Sequence, residues 1–389
     1  MNYNFDKIID RRKTESLKFD GAVSRGKPAD ILPLWVADMD FPAPSCVLDA
    51  LQKSVSHGIF GYTEPDSSYF DALKGWFTER FGYKFNPDWV TVVPGLVYAI
   101  NMAISAFTKT GDGILIQEPV YHPFRSGILR HERRPVVNEL RLTGDSYVVD
   151  FEDFEKQIAE NNVKMFILCS PHNPVGRVWR ADELQEMVRI CAKYDVLIIS
   201  DEIHCDFVFP EYEHLCLPAL LPEEQANIIL LTAPSKTFNL AGLQISNVFI
   251  SEPTLRRTFQ HEVLKTGFAH PNQLGIVACR AAYLGGADWL DALLVYIKEN
   301  MMFIDKYLKE HLPDVKLIPP EGTYLAWLDC RKLGLSADDL DNKIVNDAKL
   351  WLSRGDGFGA SGAGFIRVNT ACPITVLKTC MERLVEVLA

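Results

Sequence analysis

The sequence predicts an α/β protein: a mostly parallel sheet covered by helices on both faces, joined to a smaller α+β domain. Three observations carry that prediction. Residues 163–170 (VKMFILCS), 196–200 (VLIIS) and 227–232 (NIILLT) are largely apolar runs of strand length, as strands buried on both faces must be. Between the first two lies ADELQEMVRICAKYD, where Leu184, Val188 and Cys191 recur at helical spacing. After Gly285 and Gly286 the texture changes to one long helical stripe followed by alternating segments.

In chain order, residues 1–48 are too few and too irregular for a core of their own and are expected to pack on the smaller domain. Residues 49–286 form the large domain. Within it WVTVVPG (89–95) reads as a strand running into the helical LVYAINMAISAF (96–107). Residues 287–389 form the small domain. Asp288 is expected to cap a helix with the stripe Leu290, Leu293, Leu294, Ile297, Met301, Ile304 and Leu308, which Pro313 ends. TYLAWLDC (323–330) and FIRVN (365–369) then alternate as strands.

Composition narrows the function. Forty Lys and Arg against 51 Asp and Glu give a net charge of −11, which argues against a general nucleic-acid or anionic-membrane surface. No apolar run approaches the ~20 residues of a membrane helix, and the start of the chain has no signal-peptide core, which predicts a cytoplasmic protein. Nine cysteines stand singly with no Cys-x-x-Cys pair, the pattern of reduced, buried thiols. His204 beside Cys205, and His214 near Cys216, lack a second ligand pair at zinc spacing, so no metal site is expected.

GFGASGAG (357–364) contains Gly-x-Gly-x-x-Gly. A dinucleotide site would need a following helix and an acidic residue about 20 positions on, inside one βαβ unit. Here FIRVN follows at once and too little chain remains. The expectation is a glycine-rich connection that delivers Arg367 to the middle of a strand.

Ligands in open α/β sheets sit outside the carboxyl ends of the strands. SPHNPVG presents Asn173 there, SDEIHCD presents Asp201 and His204, and TAPSKTFNLAGL presents Thr232, Ser235 and Lys236. The helix start after Gly95 offers free N–H groups to an anion. A lysine, a carboxylate, an amide and an anion-binding helix start around one pocket match the needs of pyridoxal 5′-phosphate (PLP). Its ring needs an acid beside the pyridine nitrogen and an amine at its carbonyl carbon.

At these residues the chain resembles the fold-type I PLP enzymes, the aspartate aminotransferase superfamily, over essentially its whole length. The resemblance implies a PLP-dependent transferase-like large domain with a mostly parallel seven-stranded sheet. It implies that Lys236 carries PLP, Asp201 pairs with the ring nitrogen, Asn173 contacts the ring oxygen, and Arg367 grips the substrate carboxylate. LPLWVADMDFPAP (32–44), GYTEP (61–65) and EPVYHPF (118–124) resemble the cystathionine β-lyase group of the MalY/PatB type. In that group Tyr121 would stack on the cofactor and serve catalysis, Trp35 and Val36 would line the substrate pocket, and Tyr62 would reach the cofactor phosphate of a neighbouring subunit, implying a homodimer.

Two positions depart from the wider superfamily. His204 stands where aminotransferases have tyrosine, and Gln244 where many have a phosphate-gripping arginine. The phosphate is therefore assigned to Gly95, Leu96, Val97, Thr232 and Ser235. The expected function is β-elimination from L-cystathionine or a related L-cysteine S-conjugate. An aminotransferase, or a PLP-binding regulatory protein with weak lyase activity, remains the alternative.

Overall fold

The computed structural model describes residues 3–389. Its strands, in chain order, are β1 (Leu32–Pro33), β2 (Val90–Val93), β3 (Gly113–Glu118), β4 (Arg134–Glu139), β5 (Arg141–Thr143), β6 (Ser146–Val148), β7 (Val163–Cys169), β8 (Leu197–Asp201), β9 (Ile228–Thr232), β10 (Ser246–Ile250), β11 (Lys316–Leu317), β12 (Leu325–Asp329), β13 (Leu350–Trp351), β14 (Ser353–Arg354) and β15 (Phe365–Asn369). Seven of them form one sheet in the order β2-β10-β9-β8-β7-β3-β4. From β9 to β4 every neighbour is parallel. β10 alone is reversed, antiparallel to both β9 and β2.

The three apolar runs are β7, β8 and β9, side by side. Cys169 is in register with Asp201, and Asp201 with Leu231. That register brings the carboxyl ends of three strands, and the turns after them, to one edge. The runs are apolar because both faces are covered. Helices Phe151–Glu160 and Ala181–Lys193 close one face over Phe166, Leu168 and Ile198, and Leu96–Phe107 and Pro253–Lys265 close the other over Ile167, Ile199 and Leu231. Each fully buried Leu, Ile or Phe here contributes about 1.5–3 kcal/mol.

The small sheet is antiparallel, β11-β12-β15-β14. The long helix is Ala287–His311; it starts at Gly286 without a side-chain cap. Asp288 thus lies inside the first turn and complements the helix dipole instead of capping. The N-terminal segment reaches this half of the chain. β1 pairs parallel with β13, and Phe5 lies against Trp289 and Tyr296 of the long helix at 5.9 and 5.4 Å. The apolar cluster that holds them runs continuously from Phe5 through Leu73 and Leu293 to Leu388.

The glycine-rich segment connects β14 to β15, with no helix after it. Gly359 has φ of 127°, and a Cβ there would stand 2.4 Å from Glu118 Oε2. The glycines therefore serve close approach of two chain segments. Among the described residues no helix is long and apolar enough to cross a membrane.

Candidate active site

A cavity of about 710 Å³ opens where the carboxyl ends of β7 and β8 and the turn after β9 meet β15 and the N-terminal segment. Tyr121, Asn173, Asp201, His204, Ser235, Lys236 and Arg367 all line it, with Trp35, Val36, Leu96 and Val97. Asn173 follows β7, Asp201 ends β8, and Lys236 sits in the short helix Pro234–Thr237 just after β9. Their joint arrival follows from strand register.

Arg367 comes from the other sheet. It is the middle residue of β15, in register with Trp327 on one side and Ser353 on the other. Its Nη1 donates to Asn173 Oδ1 at 2.9 Å, and its Nη2 donates to the Trp35 carbonyl at 2.8 Å and Ser353 Oγ at 3.2 Å. The guanidinium stands 4.7 Å from the ring centre of Phe358. Trp35 in turn stacks on Trp351, centroids 4.4 Å apart and 15° between planes. Lys236 Nζ donates to the Ala37 carbonyl, which Tyr324 Oη also bonds at 3.0 Å.

Burial sets the protonation of these groups. Desolvation pushes the Asp201 carboxyl up to about 7, although the Ile203 N–H and the Lys236 charge hold it down. Desolvation also lowers Lys236 to about 8 and Arg367 to about 10. His204, buried near Lys236 and Arg367, is pushed well below the usual imidazole value and is neutral. Tyr121 and Tyr324 are raised by burial and stay protonated at neutral pH. A carboxyl raised to about 7 and an amine lowered to about 8 in one hollow form the kind of matched pair that chemistry uses.

Four positions fall elsewhere. Gly95 caps the helix Leu96–Phe107 behind the cavity wall that Leu96 and Val97 form. Thr232, at the end of β9, is buried and outside the wall, with its Oγ1 lacking a partner. Tyr62 is 96% exposed and beside His270, in a separate hollow with Phe60 and Pro271. Gln244 is exposed, with φ of 48° after a short 3₁₀ turn, and does not line the cavity.

The structure also adds residues that local pattern did not indicate. His122, Cys169, Trp351, Ser353 and Phe358 line the cavity, and Tyr324 holds the Ala37 carbonyl. EPVYHPF carried a signal for His122, next to Tyr121. The others come from segments whose sequence shows strands or turns and nothing more. Among the described residues no group of three or more His, Cys, Asp or Glu is placed to hold a metal ion.

Comparison with known proteins agrees with this geometry. The family model Aminotransferase class I and II matches residues 29–384. Cystathionine beta-lyase PatB of Bacillus subtilis is 39% identical over 381 residues, 98% of each chain. Protein MalY of Escherichia coli is 32% identical over 386 residues, 99% of this chain and 98% of that one. The structure of cystalysin from Treponema denticola, which contains pyridoxal 5′-phosphate, superposes with a TM-score of 0.97 at 36% identity, covering 100% of this chain and 99% of that one. Matched by the family model over residues 29–384 and by these relatives over nearly its whole length, the chain belongs to the class I and II aminotransferase family, in the branch that holds PatB and MalY.

Proposed function

We propose that this chain is a PLP-dependent carbon–sulfur β-lyase that acts on L-cystathionine or a related L-cysteine S-conjugate. One observation carries the reading: a buried carboxyl, a buried guanidinium and a desolvated amine face the same cavity. The name of PatB, cystathionine beta-lyase, supports the substrate class. The net reaction breaks Cα–H and Cβ–S, takes up one water, and yields a thiol, pyruvate and ammonia.

The residues present fit the cofactor. Thr232 Oγ1, His204 Nδ1 and Arg367 Nε are buried without hydrogen-bond partners, as groups awaiting a polar ligand are. Lys236 would hold the cofactor covalently, Asp201 would face its ring nitrogen, and Asn173 its ring oxygen. Leu96, Val97, Ser235, Gly95 and Thr232 would surround its phosphate. When bound, the group supplies an electron sink for the pair left at Cα.

The chain's own residues do the rest. Arg367 fixes the substrate α-carboxylate, its fork already oriented by Asn173, the Trp35 carbonyl and Ser353. Trp35 and Val36 border the space left for the side chain on sulfur. Lys236, with an affinity for protons matched to neutral pH, takes the proton from Cα. The protonated phenol of Tyr121, or the ammonium of Lys236, delivers a proton to the departing thiolate. Thiolate is a good leaving group, so this last step asks little of the acid.

Further parts of the reading concern the whole molecule. The exposed Tyr62, with Ile59, Phe60 and Leu264 also exposed, supports a homodimer in which Tyr62 completes the partner's site. Nine unpaired cysteines support a reducing, cytoplasmic setting. We place the large domain at 49–286 and the small one at 287–389, since the strands of the two main sheets separate there. An aminotransferase is the second reading, favoured by the name of the matched family model. Pyruvate release from L-cystathionine without added 2-oxo acid tests the first reading against the second.

A further inference from the structure

Residues 35–39, WVADM, enter the cavity wall with Trp35, Val36 and Ala37, and each of their five carbonyls accepts a side-chain hydrogen bond. Trp35 O accepts from Arg367 Nη2 and from Ser353 Oγ. Val36 O and Asp38 O accept from Asn369 Nδ2 at 2.7 and 2.6 Å. Ala37 O accepts from Lys236 Nζ and Tyr324 Oη. Met39 O accepts from Arg11 Nη1 and Asn239 Nδ2 at 3.1 and 3.0 Å. Arg367 and Lys236 thus rest on two carbonyls of one short strap, those of Trp35 and Ala37.

A charge cluster holds the strap. Arg11 Nη2 bonds Asp38 Oδ2 at 2.6 Å, and Arg11 Nη1 bonds Asp40 Oδ1 at 2.8 Å. Lys18, fully buried, spends its short contact on Asp40 at 2.8 Å and stands 3.8 Å from Asp38 Oδ1. Asp38 Oδ1 is buried and has no hydrogen-bond partner. One peptide separates this carboxylate, paired with Arg11 and flanked by Lys18, from the carbonyl that Lys236 grips.

We propose that Asp38 is a positioning residue that sets the proton affinity of Lys236 from the strap, with Arg11 and Lys18 tempering its charge. The inference rests on the reading of Lys236 as the amine that carries the Cα proton. The charged groups that face Lys236 are Asp38, Arg367 and Asp201. Neutral His204 and the phenols Tyr121 and Tyr324 complete the surroundings. Burial and Arg367 disfavour the ammonium form; Asp38 is the strongest influence in its favour, ahead of Asp201. A base must hold the proton it takes. A carboxylate behind it, outside the space the substrate needs, does that without competing for the reacting atoms.

The test uses the full-length, PLP-loaded protein and reads the pH midpoint of its visible-absorbance transition. A second reading follows the Lys236 methyl resonance after ¹³C reductive methylation of the cofactor-free chain. Asp38→Asn removes the favourable charge, and both midpoints fall by about one pH unit. Arg11→Gln removes a partly exposed cation that offsets Asp38, and both midpoints rise by about half a unit. Asp38→Glu restores most of the wild-type value. Shifts of opposite sign cannot come from general loosening of the fold. If Asp38→Asn does not fold, Arg11→Gln decides alone. An unmoved midpoint in whichever of these two variants folds overturns the proposal. Wild-type protein that loads PLP yet releases no pyruvate overturns the lyase reading, while the midpoints still report on Asp38.

Discussion

Arg367 Nη1 lies 2.9 Å from Asn173 Oδ1, tying the middle of β15 to the turn after β7 across 194 positions of chain. The bond fixes one arm of the guanidinium before any substrate arrives. Arg367→Lys keeps the charge but loses the fork, so it cannot hold Asn173, the Trp35 carbonyl and a carboxylate together. Loss of such a buried, hydrogen-bonded charge contact lowers kcat/KM on the order of 10²–10³-fold. The loss falls mainly in KM, read from pyruvate release at graded substrate concentration. An unchanged KM would remove Arg367 from substrate binding.

Asp201 makes the cofactor-free chain sensitive to pH. Its folded carboxyl is raised from 3.8 to about 7. A raised carboxyl stabilises the fold fully below the unfolded value and loses that contribution as pH climbs through the folded one. Lys236, lowered from 10.5 to about 8, returns stability only as pH rises from about 8 toward 10.5. The cofactor-free protein therefore has a stability minimum between about 7 and 8 from these two groups. Asp201→Asn removes the Asp201 part, on the order of 4 kcal/mol. Urea midpoints at pH 5 and pH 7.5 then differ much less than in wild type; an equal difference would contradict the assignment.

Arg177 is the buried tie behind the Asn173 turn. Its Nη1 and Nη2 bond Glu321 and Glu183 at 2.6 Å, and Glu321 also accepts the Val178 N–H. Arg177→Met leaves buried Glu321 without its cation and Glu183 with only the exposed Arg180 at 3.3 Å. Breaking a buried pair from one side costs about 3–5 kcal/mol. Urea unfolding of the loaded protein is expected to show that loss, and a cost below about 1 kcal/mol would indicate an ordinary surface pair.

The homodimer is testable by complementation. Lys236→Ala chains lack the amine, and Tyr62→Ala chains lack the group proposed to serve the partner's site. Each variant is nearly inactive alone. A refolded mixture forms mixed dimers in which one of two sites has both residues, so activity returns to roughly a quarter of wild type at equal input. A mixture no more active than its parents would place Tyr62 outside the neighbouring site.

The legible part of this protein is what strand register controls. Asn173, Asp201 and Lys236 could be found because β7, β8 and β9 are apolar on both faces and their ends carry the polar residues. Arg367 could be found because FIRVN alternates around it. The reversal of β10 could not, since SNVFI looks like its parallel neighbours and direction lives in the connections. Ser353, Tyr324 and Asn369 escaped notice because they bind carbonyls of the strap, and a carbonyl carries no residue-type signal. Thr232, read as a phosphate contact, ends β9 buried with its hydroxyl unpartnered, just before the turn that carries Ser235 and Lys236.

The most direct measurement is pyruvate formation from L-cystathionine by the purified, PLP-loaded protein without added 2-oxo acid, beside Lys236→Ala. Turnover in wild type, with release of one thiol per pyruvate and none in Lys236→Ala, is the predicted result. A wild-type protein that loads PLP and releases no pyruvate, whether it is inert or instead converts an added 2-oxo acid into its amino acid, would contradict the account.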